Sequence, residues 1–320
     1  MCLSATQIPE NFNLGYACLC DTLRKKGIFS SRTLRIATIK LKGLDYIKQL
    51  VILNLNDLMK ILIFNVENNI LLYRLSSEMF PFAAHIEYGY SLDFVDDKLK
   101  EIGKYANNNK LRLTYHPGQY NVLATDKEHI LQNTFRDLNH HCDVLDRMMM
   151  DQNSTLCIHG SGTYGNKPEA LKRLECNLLR LPEKTRNRIA LENCEMSYCV
   201  EDLLHISEKL QIPLIIDFLH DDIHRSTESA SFYFDRVFAV WNNRKIKPKV
   251  HVSNSVDNCG ESKTARRKHS DYITFFQEDL LKIKFPIDVM LECKMKEQAI
   301  FKLRNTKAVN TEVNTEANVM

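Results

Sequence analysis

The chain has 320 residues, 44% hydrophobic and 26% charged, with 43 Lys and Arg against 40 Asp and Glu for a net charge of +3. This is the balance of a globular protein with room for one large domain or two medium ones; the charge permits a nucleic-acid partner without arguing for one. It contains no run of about 18 apolar residues, so no membrane partner is expected, and MCLSATQIPENF lacks a basic stretch leading into an apolar one.

Along the chain, the first apolar run, 14–20, reads as a strand. Residues 33–65 are long for one crossover and suggest one long or two short helices. A second strand at 70–76 precedes a helical stretch over 94–105, with Phe94, Val95, Leu99 and Ile102 at helical spacing. A third strand, 111–116, precedes a helix over 130–148. Strands at 155–160 and 188–193 follow, then a helix over 200–210 with Ser197 as its N-cap. Further strands fall at 213–220, 248–253 and 287–294, with Trp241 in a helical segment before the seventh. Alternating strands and helices imply parallel pairing, and eight of each is the count of a TIM (β/α)₈ barrel. Residues 1–306 are expected to form that single domain. Residues 307–320 are polar and repeat Asn-Thr-Glu, as a disordered tail does. Ten cysteines are scattered without a CxxC pair, which suits free thiols in a reducing intracellular compartment rather than a disulfide framework.

Barrel active sites sit at the carboxyl ends of the strands. His116, His159, Glu192, Asp217, His220, His251 and Glu292 end or follow these strands, and His269 lies in the loop after the seventh. A single histidine at a strand end is usually structural. Four at strand ends beside three carboxylates point to a metal cluster, because buried carboxylates without a counter-charge repel one another at a cost of several kcal/mol. Mixed nitrogen and oxygen ligands suit Mn²⁺, Zn²⁺ or Fe²⁺ better than Ca²⁺, and a structural zinc would be expected to recruit cysteines. Lys249 lies two residues before His251 and shares its face. An ammonium beside metals is unfavourable, so this amine would stay neutral, pair with a carboxylate or react with CO₂ to give an anionic carbamate. The plainer alternative is that it meets phosphate or solvent.

In His116-Pro117-Gly118-Gln119-Tyr120 a tight turn follows a strand. It would push Gln119 and Tyr120 outward, where an amide and an aromatic ring can enter a base stack; the alternative is a loop with a surface tyrosine. Residues 158–162, followed by Tyr164-Gly165-Asn166-Lys167, form a glycine-rich loop that can approach phosphate. Arg266, Arg267 and Lys268 form a basic cluster fit for phosphate contacts or simply for solvent.

These residues resemble the ultraviolet-damage endonuclease family. The matching stretches include Leu14-Gly15-Tyr16, Tyr73-Arg74-Leu75-Ser76-Ser77, His116–Tyr120, Leu191-Glu192-Asn193, Lys249-Val250-His251-Val252-Ser253, His269-Ser270-Asp271-Tyr272-Ile273 and the run Met290–Glu297. The match runs in order over 13–304. The resemblance implies a monomeric repair enzyme that nicks double-stranded DNA immediately 5′ of ultraviolet photoproducts, leaving 3′-hydroxyl and 5′-phosphate ends. It implies up to three divalent ions, manganese first, with zinc, cobalt or magnesium as alternatives. The ligands carried over are His116, His159, Glu192, Asp217, His220, His251, His269 and Glu292, with His85 near the site. Glu192 and a carboxylated Lys249 would be catalytic, with Gln119 and Tyr120 probing the lesion and Tyr16 beside them; Arg266 and Arg267 of the basic cluster are the further DNA-contact candidates. Three departures stand out: Cys20 in place of a frequent Asn, Cys194 in place of an acid that often follows Glu-Asn, and Asp217-Phe218-Leu219-His220 without a doubled histidine. An apurinic-site endonuclease of the endonuclease IV type and a metal-dependent sugar isomerase are the competing readings.

Overall fold

Phe12–Ala17 (β1), Leu72–Leu75 (β2), Arg112–Tyr115 (β3), Leu156–His159 (β4), Ile189–Glu192 (β5), Leu214–Ile215 (β6), Lys249–Val252 (β7) and Ile287–Leu291 (β8) pair in the order β6-β5-β4-β3-β2-β1-β8-β7. The structure is a computed structural model describing residues 8–160, 162–257 and 262–305; the expected tail, 307–320, and Ser161 of the glycine-rich loop lie outside the described residues. All seven pairings are parallel, and β1 pairs with both β2 and β8. A parallel bridge between Asp217 and His251, with the His251 amide donating to the Ile216 carbonyl at 3.0 Å, brings the edge strands together. The expected (β/α)₈ barrel is therefore the fold.

The helices are Asp21–Arg24 (α1), Ile36–Glu67 (α2), Asp96–Asn108 (α3), Glu128–Arg147 (α4), Lys167–Arg180 (α5), Glu183–Arg186 (α6), Val200–Leu210 (α7), Phe218–Ile223 (α8), Phe234–Asn243 (α9), Lys263–Arg266 (α10) and Glu278–Leu281 (α11). The 33–65 region is two helical pieces joined at Gly43, whose φ of 75° is open to glycine and strained for other residues. By length and composition α2 could cross a membrane, but here Ile47, Val51, Leu55, Leu58, Ile61 and Leu62 pack it into the core. The N-cap of α7 is Cys199 and not Ser197, because Asp202 reaches back to the Cys199 amide at 2.9 Å. The expected strand 213–220 stops at Ile215, since Asp217 turns to cap α8, its side chain accepting from the His220 amide at 2.8 Å.

Parallel strands are buried on both faces, and the two faces differ here. Toward the helices stand fully buried Tyr16, Tyr73 and Tyr115; the Tyr16 hydroxyl donates to Asn65 of α2 at 2.7 Å. Inside, Ala17, Leu72 and Met290 cluster. A Cβ at Gly15 would fall 2.4 Å from the Leu72 carbonyl oxygen, so glycine permits the close approach of β1 and β2. At the amino end of the barrel, buried Asp288 accepts from Asn13 (2.8 Å) and Arg112 (2.8 Å) and is paired with Lys247.

Candidate metal centre

Glu192 ends β5 with its side chain fully buried. One carboxylate oxygen, Oε2, lies 3.0 Å from Nε2 of His116 and 3.3 Å from Nε2 of His159; those two nitrogens are 3.1 Å apart. The other, Oε1, lies 2.9 Å from Nδ1 of His251. That nitrogen is also 3.2 Å from Glu292 Oε1, which is ion-paired with Arg74 of β2. Ligand atoms of His116, His159 and Glu192 lie within 4.8 Å of one another, and so do those of Glu192, Asp217, His251 and Glu292. Glu192 belongs to both groups and would be shared by ions held there. His220 of α8 gives its Nδ1–H to the Asn193 carbonyl at 3.0 Å. His269 stands at the edge, 2.8 Å from Ser253 Oγ and 4.0 Å from Glu292.

The residues fit divalent cations. Asp217 Oδ2 and His251 Nε2 are buried without a hydrogen-bond partner among the described residues, although buried polar atoms are normally satisfied. Burial alone would raise the Glu192 carboxyl; the imidazoles of His251 and His159, with hydrogen bonds from His116 and His251, hold it well below the usual carboxylate range. Burial likewise opposes ionisation of Glu292, but Arg74 and His251 hold that carboxyl down as well. Burial pulls the His220 imidazole down, yet Asp217, Glu192, Glu195 and Glu292 outweigh it and push it up to about 9. Carboxylates that demand positive charge from histidines are a site arranged for cations.

Lys249 is fully buried on the face of β7 that carries His251, and its amine has no hydrogen-bond partner among the described residues. Burial, with Arg112 and Arg74 nearby, lowers it to about 8 against the pull of Cys157 and Glu192. Other expected residues stand apart. Tyr16 faces α2 behind the sheet, fully buried, and so is not at the rim where the sequence placed it. His85 stacks on Tyr88 with ring centroids 5.1 Å apart and lines a cleft of about 410 Å³ with Phe80, Phe82, Tyr120 and Arg136; no ligand group within 4.8 Å includes it among the described residues. Gln119 is exposed, and Tyr120, 64% exposed, folds over Gly118, where a Cβ would fall 2.3 Å from its ring. Arg266 is turned inward to the Asp222 carbonyl at 2.8 Å, and Arg267 is ion-paired with Glu195.

Three site residues were not singled out as ligands or neighbours from the sequence. Arg74 is a charge inside an apolar strand, a usable signal. Cys157, two residues before His159 and so on the same face, donates to Glu192 Oε2 at 2.9 Å. Glu195 lies in the loop after β5, where no periodicity marks it.

A parallel barrel whose carboxyl-end rim gathers imidazoles around a shared carboxylate is a TIM-barrel protein with residue groups that could hold metal ions. The UV-endonuclease UvdE family profile matches residues 12–319, and the chain belongs to that family. It is 39% identical over 307 residues to the UV-damage endonuclease of Schizosaccharomyces pombe, covering 92% of this chain and 51% of that protein. It is 33% identical over 311 residues to the UV DNA damage endonuclease of Clostridium perfringens, covering 95% and 73%. The crystal structure of SacUVDE superposes with a TM-score of 0.80 at 28% identity over 95% of this chain and 99% of that one. The chain thus spans about half the length of the S. pombe relative.

Proposed function

We propose that this chain is a metal-dependent endonuclease that nicks double-stranded DNA immediately 5′ of ultraviolet photoproducts, leaving 3′-hydroxyl and 5′-phosphate ends. The observation that carries the reading is Glu192, shared by two ligand groups at the rim of a barrel of this family. When bound, up to three divalent ions, Mn²⁺ first and Zn²⁺, Co²⁺ or Mg²⁺ as alternatives, supply an activated water and Lewis-acid polarisation of the phosphate. The residues do the rest. Glu192 fixes the spacing of the two groups. Arg74 orients Glu292, and the Asn193 carbonyl orients His220 through its Nδ1–H. Lys249, lowered to about 8, is more readily deprotonated than a free lysine, and its neutral fraction takes up CO₂ with release of one proton to become a carbamate. Gln119 and Tyr120, on an exposed turn beside His116, enter the stack where damaged bases leave it. The single domain, residues 1–306, acts as a monomer in a reducing compartment, consistent with eight free cysteines among the described residues.

Irradiated, untreated and apurinic supercoiled plasmids, each incubated with the protein and Mn²⁺, test this reading. Nicking confined to the irradiated plasmid, with ends that a polymerase extends directly, is expected. Preference for the apurinic plasmid would move the assignment to the endonuclease IV type.

A further inference from the structure

The mouth of the barrel holds a carboxylate outside the eight expected ligands. Glu195 has a side chain only 12% exposed, and its Oε2 lies 3.7 Å from Nε2 of His220. Because His220 gives its Nδ1–H to the Asn193 carbonyl, Nε2 is the nitrogen that can give up its proton to an ion, and it faces Glu195. Ligand atoms of His159, Glu195 and His220 lie within 4.8 Å of one another. Cys194 does not take this part. Its sulfur accepts from the amides of Ser197 (3.1 Å) and Tyr198 (3.3 Å), forming a turn that presents Glu195 one residue later. The acid missing at 194 is thus supplied at 195.

Glu195 has a second partner. Its Oε1 is ion-paired with Arg267, whose side chain is 41% exposed. We propose that Glu195 joins His220 and His159 in holding one of the rim's divalent cations, and that Arg267 competes for that ion by pairing with Glu195. The proposal rests on the reading of the rim as a cation centre. Two imidazoles and one carboxylate, with water in the remaining positions, suit a borderline divalent ion such as Mn²⁺ or Zn²⁺. A half-exposed arginine is a weak competitor, since its pairing is screened by solvent. An ion bound there also releases the Arg267 guanidinium at the mouth, where it can meet a DNA phosphate.

The test is Mn²⁺ binding to the metal-stripped full chain, followed by calorimetry with elemental analysis to count ions. Glu195→Gln, nearly isosteric, should weaken one class of ion about tenfold or more and leave the others in place. Arg267→Ala, which removes the competitor, should tighten that same class. These opposite signs identify competition; a merely structural role for the pair would weaken binding in both variants or in neither, and either result overturns the proposal. Glu192→Ala serves as the reference, because it should remove the other classes. A parent protein that binds no ions would overturn the reading of the whole rim, whereas ions insensitive to Glu195 would overturn the Glu195 site alone.

Discussion

The two ends of the barrel both bury charge, and they handle it in opposite ways. At the amino end Asp288 is 1% exposed, and both its oxygens are engaged, by Asn13, Arg112 and Lys247. At the carboxyl end Glu192, Asp217, Glu195 and Glu292 converge with Arg74 and Arg267 as their ion-paired guanidiniums, and Asp217 Oδ2 has no hydrogen-bond partner among the described residues. The protein completes its own electrostatics at the floor and leaves them incomplete at the rim. Buried charge that is paired inside the chain is structural; buried charge that is not awaits something from outside.

The largest expected effect separates the two ends by activity. Glu192→Ala removes the carboxylate common to both ligand groups, and loss of several kcal/mol of transition-state stabilisation corresponds to a rate reduction of about 10³-fold. Plasmid nicking should collapse while circular dichroism and urea unfolding of the metal-free protein stay close to the parent. A variant turning over at the parental rate would place Glu192 outside the centre.

The converse experiment is Asp288→Ala. Removing one partner of a buried, hydrogen-bonded ion pair costs about 3–5 kcal/mol of stability, read as a fall in the urea midpoint. Ion stoichiometry of the remaining folded protein should be unchanged. If the variant instead lost ions and kept its midpoint, the division between floor and rim would fail.

Lys249 lies between the two regions and sharpens the contrast. Its amine is lowered from 10.5 to about 8 by burial, so between those values the unfolded chain binds a proton that the folded chain does not. Its contribution to stability is complete above about 10.5 and is lost as pH falls through about 8. His220, pushed up to about 9, runs the other way, its contribution being lost as pH rises through about 9. The difference between parent and Lys249→Met isolates the lysine. At pH 7 the metal-free methionine variant should be the more stable by on the order of 3 kcal/mol, the gap closing toward pH 10.5. Denaturant titrations across that range read it directly, and a gap independent of pH would show the amine to be neutral throughout or already satisfied.

The smallest effect concerns the exposed turn. Gln119→Ala with Tyr120→Ala should weaken binding to an irradiated duplex by about 1–3 kcal/mol, the range for one stacking contact, with ion content untouched. Equal affinities in a fluorescence titration would reduce Tyr120 to a surface ring.

How much of this was legible in the sequence follows from what is local. Eight apolar runs with helical segments between them located every strand, and the convergence of His116, His159, Glu192, His251 and Glu292 was foreshadowed because they end or follow strands. Facing was harder to read. Tyr16 was placed on the DNA, yet Gly15 at the β1–β2 contact and Asn65 on α2 put it behind the sheet; in a strand buried on both faces, alternation does not separate inside from outside. Arg266 and Arg267 read as free cations because their partners, Asp222 and Glu195, are 44 and 72 residues away in sequence. Glu195 itself, in a loop whose course is set by the Cys194 turn, could be found only in three dimensions.

The decisive measurement is nicking of irradiated supercoiled plasmid by protein stripped of metal, with removal verified by elemental analysis, as Mn²⁺ is added back. The unsatisfied rim predicts no nicking in the stripped protein and recovery as ions refill the Glu192 groups. Undiminished nicking by verified metal-free protein would contradict it.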